Sequence, residues 1–292
     1  MTYTAEKGNG HGKYKLKFKS VIIFFNVLMI LFLGVMLIIP LVILGKDLAF
    51  VFLRSSWFIA PLILLALTFL DVYFALNYKI YALLEKEDWP ALIQELENKV
   101  LQKNRYSSRL VKLLINSYLV LSDVNSVTAL EKRLSITKSS LLNENALSFS
   151  AARILSKDYQ GSVEFLAPKY AGEFKGKGSN AEWVRFYYGF SLLLSRNFEA
   201  AADVLILLAR EGRDGIPAGL SAYFLSENLS AFLPLRSENL KEEANAAKDR
   251  VKRSLHRRSD WDKELKRLET EVYAVVLQTY TGKAADYLYK GQ

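Results

Sequence analysis

VIIFFNVLMILFLGVMLIIPLVILG, residues 21–45, and WFIAPLILLALTFLDVYFAL, residues 57–76, decide how the rest of the chain is read. The first run carries no charge, and Asn26 is its one strongly polar side chain. The second carries a single charge, Asp71, near its C-terminal end. About 20 apolar residues suffice to cross a hydrocarbon core of roughly 30 Å as a helix. The first run does not alternate apolar and polar faces as a helix on the surface of a soluble domain does. It is longer than the roughly 7–15 apolar residues of a secretory signal, and no small-residue cleavage site follows it. The short loop between the runs, bracketed by Lys46, Asp47 and Arg54 with an apolar Leu48–Leu53, forces them antiparallel. An N-terminal two-helix transmembrane hairpin is therefore expected.

The flanking charges orient it. Lys7, Lys13, Lys15, Lys17 and Lys19 precede the first run, and Lys79, Lys86, Lys99, Lys103, Arg105 and Arg109 follow the second. Cytoplasmic loops carry the excess of Lys and Arg, which predicts both termini in the cytoplasm. The absence of cysteine fits that compartment. The compactness and short hairpin point to a bacterial inner membrane. Asp71 invites a reading as a proton or ion site, because carboxylates inside a membrane are costly. A single carboxylate makes a poor relay, so pairing with water, a neighbour or Lys79 is the plainer expectation. Pro40 and Pro61 mark kinks or span ends.

Of the net charge of +9, residues 1–20 hold +4, residues 21–76 sum to zero, and the remainder holds +5. Basic residues beside a membrane gain about 1 kcal/mol each from anionic headgroups. Lys13, Lys15, Lys17 and Lys19 are thus read as lipid contacts in a tail, residues 1–20, without a core-forming pattern. Nucleic-acid binding is not needed to explain the basicity.

From Asn77 onward a period emerges. Glu87-Asp88-Trp89, Ser122-Asp123-Val124, Lys157-Asp158-Tyr159 and Arg196-Asn197-Phe198 each separate two helix-like segments. The Asp/Asn positions are spaced by 35, 35 and 39 residues, the last interval lengthened by the Gly/Lys-rich 171–179. An Asp or Asn side chain accepts a backbone N–H at the start of the next helix. Recurrence near 34 residues marks stacked helix–turn–helix units. The predicted pairs are 77–87 with 90–102, 105–122 with 124–135, 143–157 with 160–169 and 180–196 with 198–211, and a fifth unit starts at 212–235.

On these residues the chain resembles the tetratricopeptide repeat family over 77–235. The best unit is 183–210, where Tyr188-Gly189 and Phe198 with Ala201-Ala202 are similar to the family's helix positions. The resemblance implies a right-handed α-solenoid with a concave groove lined by the first helix of each pair. Groove contacts expected for a protein partner are Arg109, Lys112, Asn116, Arg153, Arg185 and Tyr188. Residues 236–292 read as a charged helix, whose cluster from Lys248 to Arg258 is offset by interspersed acids, followed by capping helices.

Little chemistry is legible. With no cysteine and only His11 and His256, there is no nucleophile–histidine pair and no histidine-based metal site. Gly172–Ser179 has the wrong spacing for a phosphate-binding loop, and no strand precedes it. The expectation is an all-α, non-catalytic chain without cofactors, in four regions: 1–20, 21–76, 77–235 and 236–292. Its expected role is a membrane-anchored scaffold or adaptor for protein partners, with homo-oligomers as a further option. The alternatives are a structural subunit of a secretion or motility complex, or an accessory factor of a membrane-bound biosynthetic pathway. The hairpin-plus-repeat layout is similar, in architecture alone, to a haem-biosynthesis-associated membrane protein family.

Overall fold

The computed structural model describes residues 18–43, 45, 54, 57–171 and 179–290, and every regular element among them is helical. The chain divides into two compact units, Met1–Leu96 and Glu97–Gln292. The tail to residue 17 and most of the loop between the apolar runs lie outside the described residues, as does 172–178.

In the first unit, α1 (Phe18–Ile43) packs on α2 (Ile59–Lys86). Asn26 Nδ2 donates to Asp71 Oδ1 at 2.9 Å, so the polar groups of the two apolar runs satisfy one another. Lys79 pairs instead with Glu95 at 2.7 Å. Among the described residues, one helical stretch is long and apolar enough to cross a membrane, Pro61–Lys86. The described apolar stretch of α1, Ile22–Met36, is shorter. The expected break between 76 and 77 does not exist. No Gly or Pro interrupts α2 after its first turn, and the Asn77 side chain donates back to the Tyr73 carbonyl at 2.8 Å. The helix expected over 77–87 is therefore the C-terminal part of α2.

The recurring turns share one geometry. Glu87, Ser122, Lys157 and Arg196 have φ of 56°, 58°, 63° and 65°, the left-handed region. Each is followed by the Asp or Asn read as a cap. At the second turn Asp123 N–H donates to the Tyr118 carbonyl at 2.9 Å, and Ser122 N–H to Leu119 at 3.0 Å. The same double closure recurs from Asp88 to Leu83, Asp158 to Arg153 and Asn197 to Leu192. It satisfies carbonyls that a helix end would otherwise leave orphaned. The side chains then start the next helix: Asp88 accepts from Ala91 N–H at 3.2 Å, Asp123 from Ser126 at 3.1 Å and Asp158 from Gly161 at 3.0 Å. Asn197 makes no such bond.

α3 (Trp89–Glu97) continues as a π turn, Asn98–Gln102. In the second unit, helices joined by these turns pack as neighbours: α4 (Ser108–Val120) with α5 (Val124–Thr137), α7 (Ala146–Leu155) with α8 (Tyr159–Ala171), and α9 (Ser179–Leu194) with α10 (Phe198–Glu211). A short α6 (Ser139–Glu144) precedes α7. The next pair is α11 (Gly215–Phe224), prolonged to Phe232, with α12 (Ser237–Ser254). First helices also meet the first helices beside them, α4 with α7, α7 with α9 and α9 with α11.

Close approach is built from small residues. Ala201 and Ala202 of α10 are fully buried, and a Cβ at Gly189 would meet Leu205 Cδ2 at 2.9 Å. Buried hydroxyls close their own chain across three helices: Ser150 with Ser162 at 2.7 Å, Ser162 with Ser191 at 2.8 Å, and Ser191 to the Tyr187 carbonyl at 2.7 Å. Buried polar groups with partners do not incur the desolvation penalty of orphaned ones. Trp183, Phe186, Tyr187 and Phe190 of α9 fill the centre, and burying each large apolar side chain contributes roughly 1.5–3 kcal/mol.

Candidate functional site: a first-helix face covered by the chain's own C-terminal segment

The face expected to hold a partner is occupied. After α12 the chain forms α13 (Arg258–Arg267), α14 (Val272–Val276) and α15 (Gln278–Tyr289). α13 begins where Arg257 N–H donates to Asp260 Oδ2 at 3.2 Å. This segment does not simply extend the array as end caps. It runs back across the first helices of all four pairs.

Three tyrosines seven residues apart set the register. Tyr287 meets Tyr223 of α11, with ring centroids 6.3 Å apart. Tyr280 sits between Phe190 of α9 at 5.4 Å and Phe224 of α11 at 5.2 Å. Tyr273 lies 5.0 Å from Trp183, and its carbonyl accepts from the Tyr187 hydroxyl. Burial pushes the Tyr187 phenol well above its ordinary value, so it donates as a neutral hydroxyl. Within α15 the seven residues from Tyr280 to Tyr287 are two helical turns, which keeps those two rings on one face, and Tyr273 joins them from α14 across the turn at Leu277. α14 packs on α7, and beyond it Glu271 pairs with Lys112 of α4 at 2.5 Å. At the other end, Trp261 and Leu288 close on Gly219 of α11, where a Cβ would meet Trp261 Cζ3 at 2.6 Å. Trp261, Leu277 and Leu288 are completely buried.

The residues expected to line a groove divide. Arg109, Lys112 and Asn116 share one face of α4 by their helical spacing. Of these Lys112 is engaged by Glu271, Arg109 is exposed, and Asn116 Oδ1 is buried without a hydrogen-bond partner among the described residues. Arg153 and Tyr188 turn toward second helices instead. The Arg153 guanidinium holds Glu131 of α5 at 2.9 Å and Asp158 at 2.6 Å, and lies 5.5 Å from the Phe165 ring centroid. Tyr188 stacks on Tyr170 of α8 at 4.8 Å. Arg185, half-buried, precedes Tyr188 by three residues and shares its side of α9. For Arg153 and Tyr188 the correction is physical: an exposed-looking polar residue on a first helix is drawn to the carboxylate or ring of an adjoining second helix. Lys13, Lys15 and Lys17 lie outside the described residues, as does the side chain of Lys19.

Glu271, Tyr273, Tyr280 and Trp261, which carry the covering segment, were not anticipated as face residues. The seven-residue tyrosine spacing was the available signal. Among the described residues no group of three or more His, Cys, Asp or Glu is arranged to hold a metal ion.

An all-α chain whose first-helix face is filled in cis is the class these elements define. It belongs to the family described as "Uncharacterised Treponema protein", whose model matches residues 126–290. That match runs from α5 through the covering segment. The family model is not a tetratricopeptide one. The chain is similar to an "Uncharacterized protein" of Treponema pallidum (strain Nichols), 28% identical over 229 residues, which cover 77% of this chain and 71% of that protein. No solved structure matches.

Proposed function

We propose that the chain is a non-catalytic, membrane-anchored scaffold: a two-helix hairpin of α1 and α2 with both termini cytoplasmic, carrying a TPR-like α-solenoid that holds partner proteins. The observation that carries this reading is the fourfold recurrence of one turn, a left-handed residue followed by Asp or Asn and an apolar side chain. The apolar stretch Pro61–Lys86 supports the anchor. Because the first-helix face is filled, the partner surface moves to the edge formed by the turns that follow the first helices. Large exposed apolar side chains of the second unit are Val120, Leu121, Ile136, Leu155, Phe232, Leu235 and Val275. Five of these seven, all but Ile136 and Val275, sit at the ends of first helices or in the turn that follows. Their recurrence at one kind of position is what the reading draws on, since exposed apolar surface that gathers into one patch marks contact with another protein.

The same edge favours a lasting structural contact over a transient adaptor, since peptide capture needs an open groove. The test is photo-cross-linking of the full-length chain in its native membrane, with the probe at Leu121, Leu155 or Leu235 and separately at Arg109 or Asn116. Protein adducts at the edge positions support the scaffold. Adducts from Arg109 and Asn116 alone would return the partner to the first-helix face. No adducts from any of the five would remove the scaffold reading.

A further inference from the structure

The far end of the second unit, beside the Tyr223–Tyr287 contact of the covered face, holds a cleft of about 750 Å³. That size is typical of small-ligand sites. It opens where α11, α12 and α15 converge. Its walls bring together Lys248 of α12, Arg258 at the start of α13, Lys283 of α15 and Lys290, against the carboxylates Glu227 and Asp286. Four cations face two anions, a surplus of two positive charges.

Both carboxylates already accept a hydrogen bond, Asp286 from a cation and Glu227 from a neutral hydroxyl. Asp286 is bound by Arg258 at 2.5 Å, and Glu227 accepts from the Ser226 hydroxyl at 3.1 Å. Lys248 is held by neutral groups: its ammonium donates to the Tyr287 carbonyl at 2.7 Å and lies 4.4 Å from the Tyr287 ring centroid. Burial lowers its pKa below the ordinary lysine value, and Lys252 and Lys290 lower it further, against the pull of Asp249 and Glu227. Among the described residues, no carboxylate within ion-pair distance offsets Lys283 or Lys290. A partly desolvated cation among other cations, fixed by neutral partners, is relieved by an incoming anion.

We propose that this cleft binds a phosphomonoester through Lys248, Lys283 and Lys290, with Tyr223 and Tyr287 walling the group that bears it. A phosphomonoester carries about −1.5 to −2 at neutral pH and three acceptor oxygens, matching the surplus charge and the ammonium donors. A carboxylate would leave half of that charge unanswered. The phosphate has two sources, a soluble metabolite or the headgroup of a membrane lipid. The inference rests on the cleft alone and stands whether or not the scaffold reading does.

The experiment is residue-resolved acetylation of lysines by mass spectrometry on the full-length chain. Glycerol phosphate is added to the detergent-solubilised protein at matched ionic strength against chloride. In parallel the protein is placed in nanodiscs of phosphatidylcholine with or without phosphatidic acid. Protection of Lys248 and Lys290, with Lys241 unchanged, is expected in at least one arm. Protection by glycerol phosphate assigns a soluble ligand, and protection by phosphatidic acid alone assigns a lipid headgroup. Lys290→Met or Lys283→Met, both at exposed positions, should weaken the protection of Lys248 by roughly tenfold, the loss expected for one charge-assisted bond. No protection in either arm, or equal protection by chloride, overturns the proposal.

Discussion

Lys112 of α4 and Glu271, 159 residues later in the chain, meet at 2.5 Å and tie the first pair of the second unit to its last segment. Glu271 is 21% exposed and Lys112 39% exposed, so water screens the pair in part. Replacing Lys112 by Met should cost about 1 kcal/mol, and the Glu271→Gln variant a similar amount. In the double variant the losses should not add, because one interaction has been removed twice. Urea unfolding of the four proteins measures this. Full additivity would mean that the contact contributes nothing.

Gly219 and Gly282 separate crowding from helix propensity. A methyl at Gly219 would enter the indole of Trp261, whereas nothing lies within 4 Å of a Cβ at Gly282. Gly219→Ala should destabilise by about 1–3 kcal/mol through overpacking. Gly282→Ala should stabilise by roughly 0.5–1 kcal/mol, as for alanine in an open helical position. Opposite shifts in the unfolding midpoint are the expected result. A neutral Gly219→Ala would mean that the C-terminal segment is not seated on α11.

The left-handed residues of the turns can be relieved. Lys157, at φ 63°, carries a Cβ in a region that only glycine visits freely. Lys157→Gly should stabilise by about 1 kcal/mol, and Ser122→Gly by a similar amount. Conversely, Asp158→Ala removes both the cap on Gly161 and the ion pair to Arg153, and should cost about 1–2 kcal/mol. Thermal melts of the three variants test the sign in each case.

Acid should act partly through Glu243. The Arg210 guanidinium, bonded to it through two nitrogens, holds its carboxyl below the usual value, against a smaller opposing effect of burial. A group lowered in the folded state contributes stability that is present above its unfolded pKa and is lost as pH falls through the folded one. Stability should therefore drop below about pH 4, and Arg210→Leu should flatten that limb. Comparing midpoints at neutral and acidic pH for the two proteins decides it. An unchanged acid limb in Arg210→Leu would assign the drop to other carboxylates.

Most helix boundaries were legible because their causes are local. A turn needs only its own left-handed residue, its Asp or Asn and the apolar residue that follows, and 88, 123, 158 and 197 display all three. The boundary expected at 76–77 falls where the apolar run ends, but a polar residue there can hydrogen-bond one turn back, as Asn77 does to Tyr73, and leave the helix intact. The partners of Arg153 and Tyr188 were hidden, because periodicity places a residue on a side of a helix without saying which neighbour covers that side. The covering segment was the least legible element. Tyr273, Tyr280 and Tyr287 announce a common face, but their rings dock on Trp183, Phe190, Phe224 and Tyr223, residues 50 to 100 positions earlier, and no local rule links them.

Translation makes 258–289 only after every helix it covers has been made. Until then the emerging chain shows Trp183, Tyr187, Phe190 and Phe224 as a bare aromatic strip. A chain that stops before Tyr273 lacks the ring on Trp183 and the carbonyl that accepts from Tyr187. Burial of this strip is thus a late event of synthesis, set by contacts between residues 50 to 100 positions apart.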